Sequence, residues 1–468
     1  MHPLDLPLSA VRALLDARRV SSSELAEQCI ARVHERSSLN AFVGFSPDIL
    51  REQARRADEA LRAGQRLPLL GIPIALKDNI QAMGHGCSAC TPALALSMPS
   101  RDSEVTRRLR DAGAVIAGML NMHELAFGIT NHNAFSMAAH NPWDPLRIPG
   151  GSSGGAGVAV AAGLVPAAIG TDTGGSIRVP SALCGVTGLR PTLGRVPQDG
   201  IVPISASRDT AGPLANSVAD CALLDRVLSG DASALPEIRL DWLRIGVPRD
   251  SFWMDLEPEV REICDAVLAA MSQAGVQLVE CSMPGLRETD AQCSLVVACH
   301  EFVRDMRSYL AIQGRGVGLE EVVAQVRSGD VRRLLEPLLQ EGAVSEGVYL
   351  AAMAGRQRLR DIYSDTFAKN ALDALIFPTT PRVAARIGED ETVELNGRQV
   401  PTFPTFTRNT DPGSVASLPG VSLPAGLASG LPVGIALDGP LGSDRRLLSI
   451  AAAIEAALPP VPRCARAD

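Results

Sequence analysis

Aromatic residues make up only 3% of this 468-residue chain, and its 44 Lys and Arg are outnumbered by 52 Asp and Glu, a formal net charge of −8. Nucleic-acid binding calls for basic patches and stacking platforms, and the sequence is short of both. A secretory signal is not apparent: Met1 to Arg19 carries Pro3, Asp5 and Pro7 ahead of an amphipathic run, without the basic-then-apolar order such a signal needs. Long apolar runs are missing as well. The most apolar stretch, Ala156 to Ile169, contains Pro166 and two glycines and falls short of the roughly 20 residues of a membrane helix. Ten cysteines scattered from Cys29 to Cys464 form no disulfide framework, so reduced thiols in the cytoplasm are the expectation. Histidine is scarce, with seven in all. His123-Glu124 starts like a zinc HExxH, but Phe127 stands at the second ligand position. Cys87-Ser-Ala-Cys90 is a lone CxxC, expected as small core or pocket-edge residues and not as a metal or redox site.

What the chain has is 46% hydrophobic residues, enough for a large core, with 42 glycines and 33 prolines in punctuated stretches. Ser21-Ser-Ser-Glu24 reads as a capping box opening a helix to about Arg36. A strand is expected over Ala41–Phe45, a helix over Pro47–Ala63, an apolar strand ending at Lys77-Asp78, a helix over Ser103–Ala112 and a strand over Ala114–Leu120. This alternation predicts an α/β sheet covered on both faces. Between Pro149 and Pro213, glycine and hydroxyl residues crowd the sequence, interrupted by a helix over Ala156–Ala162 and a strand over Ala167–Gly170. Further on, the pattern predicts a helix over Val218–Leu228 and a strand over Leu243–Val247. A mainly helical insertion over about 258–370 follows, broken near Gly285 and Gly314. Strands near Ala374–Phe377 and Val433–Leu437, a helix over Ser443–Ala457 and a mobile tail over 459–468 complete the chain. No linker or repeat divides it, so residues 1–468 read as one domain.

Gly150-Gly-Ser152-Ser-Gly154 fits the G-x-S-x-G elbow of α/β-hydrolases. That fold needs a histidine downstream of the serine, and His300, the one candidate, lies inside an expected helix. A P-loop fails because no GK[ST] follows the glycines. What remains is a constellation without histidine: Lys77, Ser152, Ser153 and Ser176, the last preceded by Asp172-Thr-Gly-Gly. By spacing alone, Lys77-Asp78 reads first as a surface ion pair. The alternative is a lysine carried by Ile72–Leu76 into an apolar sheet, where desolvation could free its lone pair for base catalysis. Thr173, Gly174, Gly175 and Ser176 offer consecutive unencumbered amides, the material of an oxyanion hole, or else of a tight turn after a strand.

With these residues in view, the sequence resembles the amidase signature family. The motif spans Gly150 to Pro191 (GGSSGGAGVAVAAGLVPAAIGTDTGGSIRVPSALCGVTGLRP), its two serines are spaced as in the family, and Lys77 stands in the family's KDN segment. The resemblance implies an α/β/α sandwich with a large mixed twisted sheet and a signature core over about 65–220. It implies a Ser–cis-Ser–Lys triad with Ser176 as nucleophile, Ser152 as relay after a cis peptide and Lys77 as base. It also implies an oxyanion hole from Thr173 to Ser176, support from Ser153, Asp172 and Arg178, and no metal or organic cofactor. Asn121–Thr130, Ser205–Pro213 (SASRDTAGP) and Asn409–Gly439 look like the indoleacetamide and mandelamide hydrolase branch, which implies a small arylacetamide-type substrate. Thr130, Asn131 and His132 are expected at the substrate pocket, and a homodimer by analogy. The rival readings are another amidase branch, acting on aliphatic amides or as the glutaminase subunit of an amidotransferase, and a non-catalytic binding protein on the same fold.

Overall fold

The computed structural model describes residues 2–313 and 316–464. Its centre is an eleven-stranded sheet built from β1 (Phe42–Gly44), β2 (Pro73–Lys77), β3 (Val115–Leu120), β4 (Ala167–Asp172), β5 (Thr187–Arg190), β6 (Thr210–Ala215), β7 (Arg244–Val247), β8 (Gln277–Glu280) and β9 (Ala374–Pro378). A separate hairpin, β10 (Thr392–Leu395) and β11 (Arg398–Pro401), precedes the last two sheet strands, β12 (Gly420–Ala428) and β13 (Leu431–Asp438). The spatial order is β1-β3-β2-β4-β6-β5-β12-β13-β9-β7-β8. Pairing is parallel where β2 meets β3 and β4 and where β7 meets β8 and β9, and antiparallel elsewhere, so the sheet is mixed. Helices flank it, as the alternating pattern predicted. β2, β3, β4, β9 and β13 are buried at every position, which is why they read as unbroken apolar runs instead of alternating ones.

Local signals set the boundaries. Ser21 accepts from the Glu24 amide at 3.1 Å while Glu24 Oε2 accepts from the Ser21 amide at 2.7 Å, the expected capping box, which stabilises the helix end by about 1 kcal/mol. The sheet is larger than the sequence pattern suggests. Within Pro149–Pro213 it gains β5, β6 and a helix over Arg178–Cys184, all disguised by glycine and proline. Pro180 sits in the first turn of that helix, where its missing N–H costs nothing, and Pro213 lies just beyond the β5–β6 pairing, which ends at Gly188↔Leu214. The stretch 258–370 is helical apart from β8, which pairs with β7 at the sheet's end. Gly285, at φ +76°, precedes the helix Leu286–Gln313; the break expected at Gly314 lies outside the described residues. Of the tail 459–468, residues 465–468 also lie outside them, whereas Arg463 Nη1 donates to Asp5 O at 2.8 Å and Cys464 Sγ contacts Pro142 O at 3.1 Å. No helix among the described residues is long and apolar enough to cross a membrane.

Candidate active site

β2 and β4 run side by side, and their C-terminal ends deliver the two halves of a polar cluster. Lys77 closes β2 with a side chain 0% exposed. Asp78 is buried too and turns away, accepting from the Ser88 hydroxyl and the Cys90 amide, so the pair is not a surface ion pair. Lys77 Nζ lies 2.7 Å from Ser152 Oγ and 2.8 Å from Thr171 Oγ1, with Thr171 O at 3.4 Å. Asn79 Nδ2 also donates to Thr171 Oγ1, at 3.0 Å, and so fixes that hydroxyl. Burial pushes the Lys77 ammonium down to about 7, against the opposing charges of Asp172, Asp209 and Cys90. The chain contains two lysines, Lys77 and Lys369, and every other basic residue is arginine, which cannot lose its proton in a protein.

Ser152 follows a cis Gly151–Ser152 peptide and begins the turn into the buried helix Gly154–Ala161. That helix packs closely enough on β3 that a Cβ on Gly155 would lie 2.5 Å from Asn121 O. Ser153 Oγ donates to Thr171 O at 3.1 Å and accepts from the Thr171 amide, clamping the serine turn to β4. The Ser153 amide donates to Ser176 O at 3.2 Å, which ties this turn to the second glycine loop.

The second loop, 173–177, is held by Asp172. Its carboxylate accepts from the Gly175 amide at 2.8 Å, the Ile177 amide at 3.2 Å, Arg178 Nε at 3.1 Å and Arg190 Nη1 at 3.1 Å, all fully buried. Burial opposes its charge, yet the two guanidiniums hold the Asp172 carboxyl well below the usual range. Asp172 and Arg178, for which the resemblance implies supporting roles, thus form an ion pair, and Arg190 joins it. Gly175 has φ +137°, and a Cβ there would meet Thr410 Oγ1 at 2.2 Å, so only glycine fits. Its amide is spent on Asp172 and drops out of the oxyanion set; the amides of Thr173, Gly174 and Ser176 take no acceptor among the described residues. Replacing Asp172 by Asn removes the charge that two buried guanidiniums share. The expected loss is about 3–5 kcal/mol in denaturant unfolding, together with loss of activity as the loop relaxes; unchanged unfolding would mean the loop is not held this way.

Ser176 is 7% exposed and opens onto a cavity of about 620 Å³. Its hydroxyl has no side-chain partner among the described residues. The walls come from Ala126–Thr130, the loop 173–176, the helix Leu286–Gln313 and residues 403–411. Of the three expected pocket residues, Thr130 lines the cavity and donates to Asp390 Oδ1 at 2.8 Å. Asn131 does not: it is fully buried behind the serine turn, where its Oδ1 accepts from the Gly154 amide at 3.0 Å. His132 does not line it either: it lines a neighbouring surface cleft, 2.6 Å from Asp390 Oδ2, and that hydrogen bond raises its pKa above the ordinary value. Cys87 and Cys90 are buried thiols in a small core beside Asp78.

Several cavity residues had no assigned part in the sequence reading: Arg208, Asp290, Ser294 and Asp411. Arg208 donates to Thr173 O at 3.1 Å and pairs with Asp411, and Thr410 Oγ1 donates to Gly174 O at 2.8 Å, so this group braces the loop opposite Asp172. Arg208 and Asp411 lie in segments whose wording resembled one enzyme branch, SASRDTAGP and NTDPGS, and that was their only signal.

The family model Amidase matches residues 24–448. The chain is 42% identical to an indoleacetamide hydrolase of Agrobacterium vitis, covering 97% of this chain and 98% of that one. It is also 42% identical to a mandelamide hydrolase of Pseudomonas putida, over 98% and 92% respectively. The native peptide amidase of Stenotrophomonas maltophilia superposes with a TM-score of 0.83 at 31% identity, covering 96% of each chain. A match of that span, with hydrolases of that identity along nearly the full length, means that the chain belongs to the amidase family and is an amide-hydrolysing enzyme.

Proposed function

We propose that this amidase hydrolyses a small primary amide of the arylacetamide type to the carboxylic acid and ammonia, through an acyl-enzyme on Ser176. The observation that carries the mechanism is a buried lysine, with a pKa lowered to about 7, 2.7 Å from the hydroxyl of Ser152, in a serine turn whose Ser153 amide is tied to Ser176, which lines the cavity. Neutral Lys77 takes the proton of Ser152 as Ser152 takes that of Ser176, and Ser176 Oγ bonds to the amide carbonyl carbon. The relay requires a Ser176 rotamer that donates to Ser152 Oγ, a bond that forms when substrate is seated. The amides of Thr173, Gly174 and Ser176 are the available donors for the oxyanion. Return of the proton to nitrogen expels ammonia and leaves the acyl ester, and water deprotonated along the same path releases the acid.

The acyl preference rests on the walls and on the relatives. Phe127, Ile129, Ile204, Leu295, Leu334 and Phe403 give the cavity a predominantly apolar lining suited to a ring. The two relatives named above act, by their names, on indoleacetamide and mandelamide. Ammonia release across phenylacetamide, indole-3-acetamide, mandelamide, propionamide and glutamine tests this reading, with kcat/KM expected to be at least about tenfold higher for the aromatic members. Turnover restricted to propionamide or glutamine would overturn the arylacetamide assignment and favour another branch.

A further inference from the structure

Four carboxylates line the cavity: Asp290, Asp330, Asp390 and Asp411. Three have partners. Asp411 holds Arg208 and accepts from Ser294 Oγ at 2.5 Å, Asp390 holds Thr130 and His132, and Asp330 lies 3.0 Å from His123 Nε2. The cavity's cations are engaged as well. Arg208 donates to Ser294 O at 2.7 Å, Arg287 Nη2 donates to Ser251 O and Asn409 Oδ1, and Arg408 Nη2 donates to Met254 O at 2.6 Å and Asp255 O at 2.8 Å. Asp290, in the first turns of the helix Leu286–Gln313, is different. Its Oδ1 is buried without a hydrogen bond, and its carboxyl makes no ion pair among the described residues.

Apart from Ser176, Asp290 is thus the cavity side chain for which no hydrogen bond or ion pair is found among the described residues, whereas Arg208 and Arg408, whose Nε atoms are also buried without acceptors, are held through their Nη atoms. We infer that Asp290 determines specificity, its carboxyl reading a neutral hydrogen-bond donor, an O–H or N–H, on the acyl part of the amide. The inference rests on this cavity being the acyl pocket of the proposed reaction. A ligand without such a donor strips water from the carboxyl and gives nothing back, so it is discriminated against by the cost of a buried unpaired polar group. Burial and the nearby charge of Asp411 push the Asp290 carboxyl well above the usual carboxylate range, against Arg208 and Arg287. A carboxyl so placed resists carrying charge, which favours a neutral donor over an ammonium group as its partner.

Matched amides that differ by one donor test it: mandelamide against phenylacetamide, indole-3-acetamide against its N-methyl derivative, and lactamide against propionamide. In the wild-type enzyme the donor-bearing member of at least one pair should have the higher kcat/KM by about tenfold or more. Asp290→Leu and Asp290→Ala should each bring that ratio close to one, while Asp290→Asn, which keeps an acceptor oxygen, should retain more of it. Using a ratio within one enzyme separates recognition from any general loss of activity, and two truncations guard against one that fails to fold. Wild-type ratios near one in every pair, or a ratio that survives both truncations, would overturn the inference. If only lactamide and propionamide are turned over, the arylacetamide reading fails, while their ratio still decides the part played by Asp290.

Discussion

Ser176→Ala is expected to lower amide turnover by at least about 10⁴-fold and to abolish covalent labelling by a fluorophosphonate, with thermal unfolding close to that of the wild type. The size follows from what is removed. Without the hydroxyl no acyl-enzyme forms, and the remaining amides and cavity can only orient water. The small structural cost follows from the surroundings: the Ser176 side chain makes no hydrogen bond among the described residues, and its backbone carbonyl, which accepts from Ser153, is untouched by the substitution. Ser152→Ala gives the discriminating comparison. Ser152 Oγ is bound to Lys77 at 2.7 Å, so its loss should slow labelling without removing the labelled residue. A label that persists in Ser176→Ala and vanishes in Ser152→Ala would place the nucleophile in the Gly-x-Ser-x-Gly turn and reverse the two serines' roles.

The parts of this site that could be read from the sequence are those whose partners are close along the chain. Asp172 and Arg178 are six residues apart within one motif, and their bracing role came from the family resemblance of that motif. Ser152 and Ser176 lie in one motif, and the apolar run before Lys77 offers a buried lysine as the alternative to the surface ion pair that the spacing suggests first. The scarcity of lysine was equally legible: a chain that uses arginine almost throughout yet ends a buried strand in lysine is using a group that can be neutral. Gly175 illustrates the limit at short range. Four consecutive small residues suggest four donors, but which amides face the cavity depends on where the Asp172 carboxylate turns, and it takes one of them. The far wall was not legible at all. Asp290 and Asp411 reach the Ser176 loop because β12 crosses back to pair with β5, and because the helix Leu286–Gln313 packs across residues 411–415. Pairings over more than a hundred residues leave no periodic trace, and β5, β6 and β12 are rich in the residues that usually break strands.

Activity should depend on a single deprotonation near pH 7, and Lys77→Met should remove both the activity and that dependence. Below its pKa of about 7 the Lys77 amine carries a proton and has no lone pair to accept another, so kcat/KM should fall about tenfold per pH unit toward pH 5 and level off above about pH 8. Methionine keeps the length and apolar stem but deletes the base, and turnover should drop by about 10²–10⁴-fold with no inflection near 7. Stability rises with pH as well, over a higher range. In the unfolded chain the lysine holds its proton up to about pH 10.4, whereas in the fold it gives it up near 7. Between those values the unfolded state binds more protons, so this group makes the fold more stable as pH rises, and its cost is fully present below pH 7. Lys77→Met relieves that cost but deprives Ser152 Oγ of its lysine partner and leaves Thr171 Oγ1 with Asn79 as its remaining donor, two changes of opposite sign. The variant should therefore unfold near the wild-type midpoint at pH 7 and lose the wild type's gain in stability between pH 7 and 10. Initial rates and thermal melts over pH 5–10 read both effects. A Lys77→Met enzyme that keeps most of its rate, or keeps the inflection, would mean that the proton of the attacking serine goes to another group.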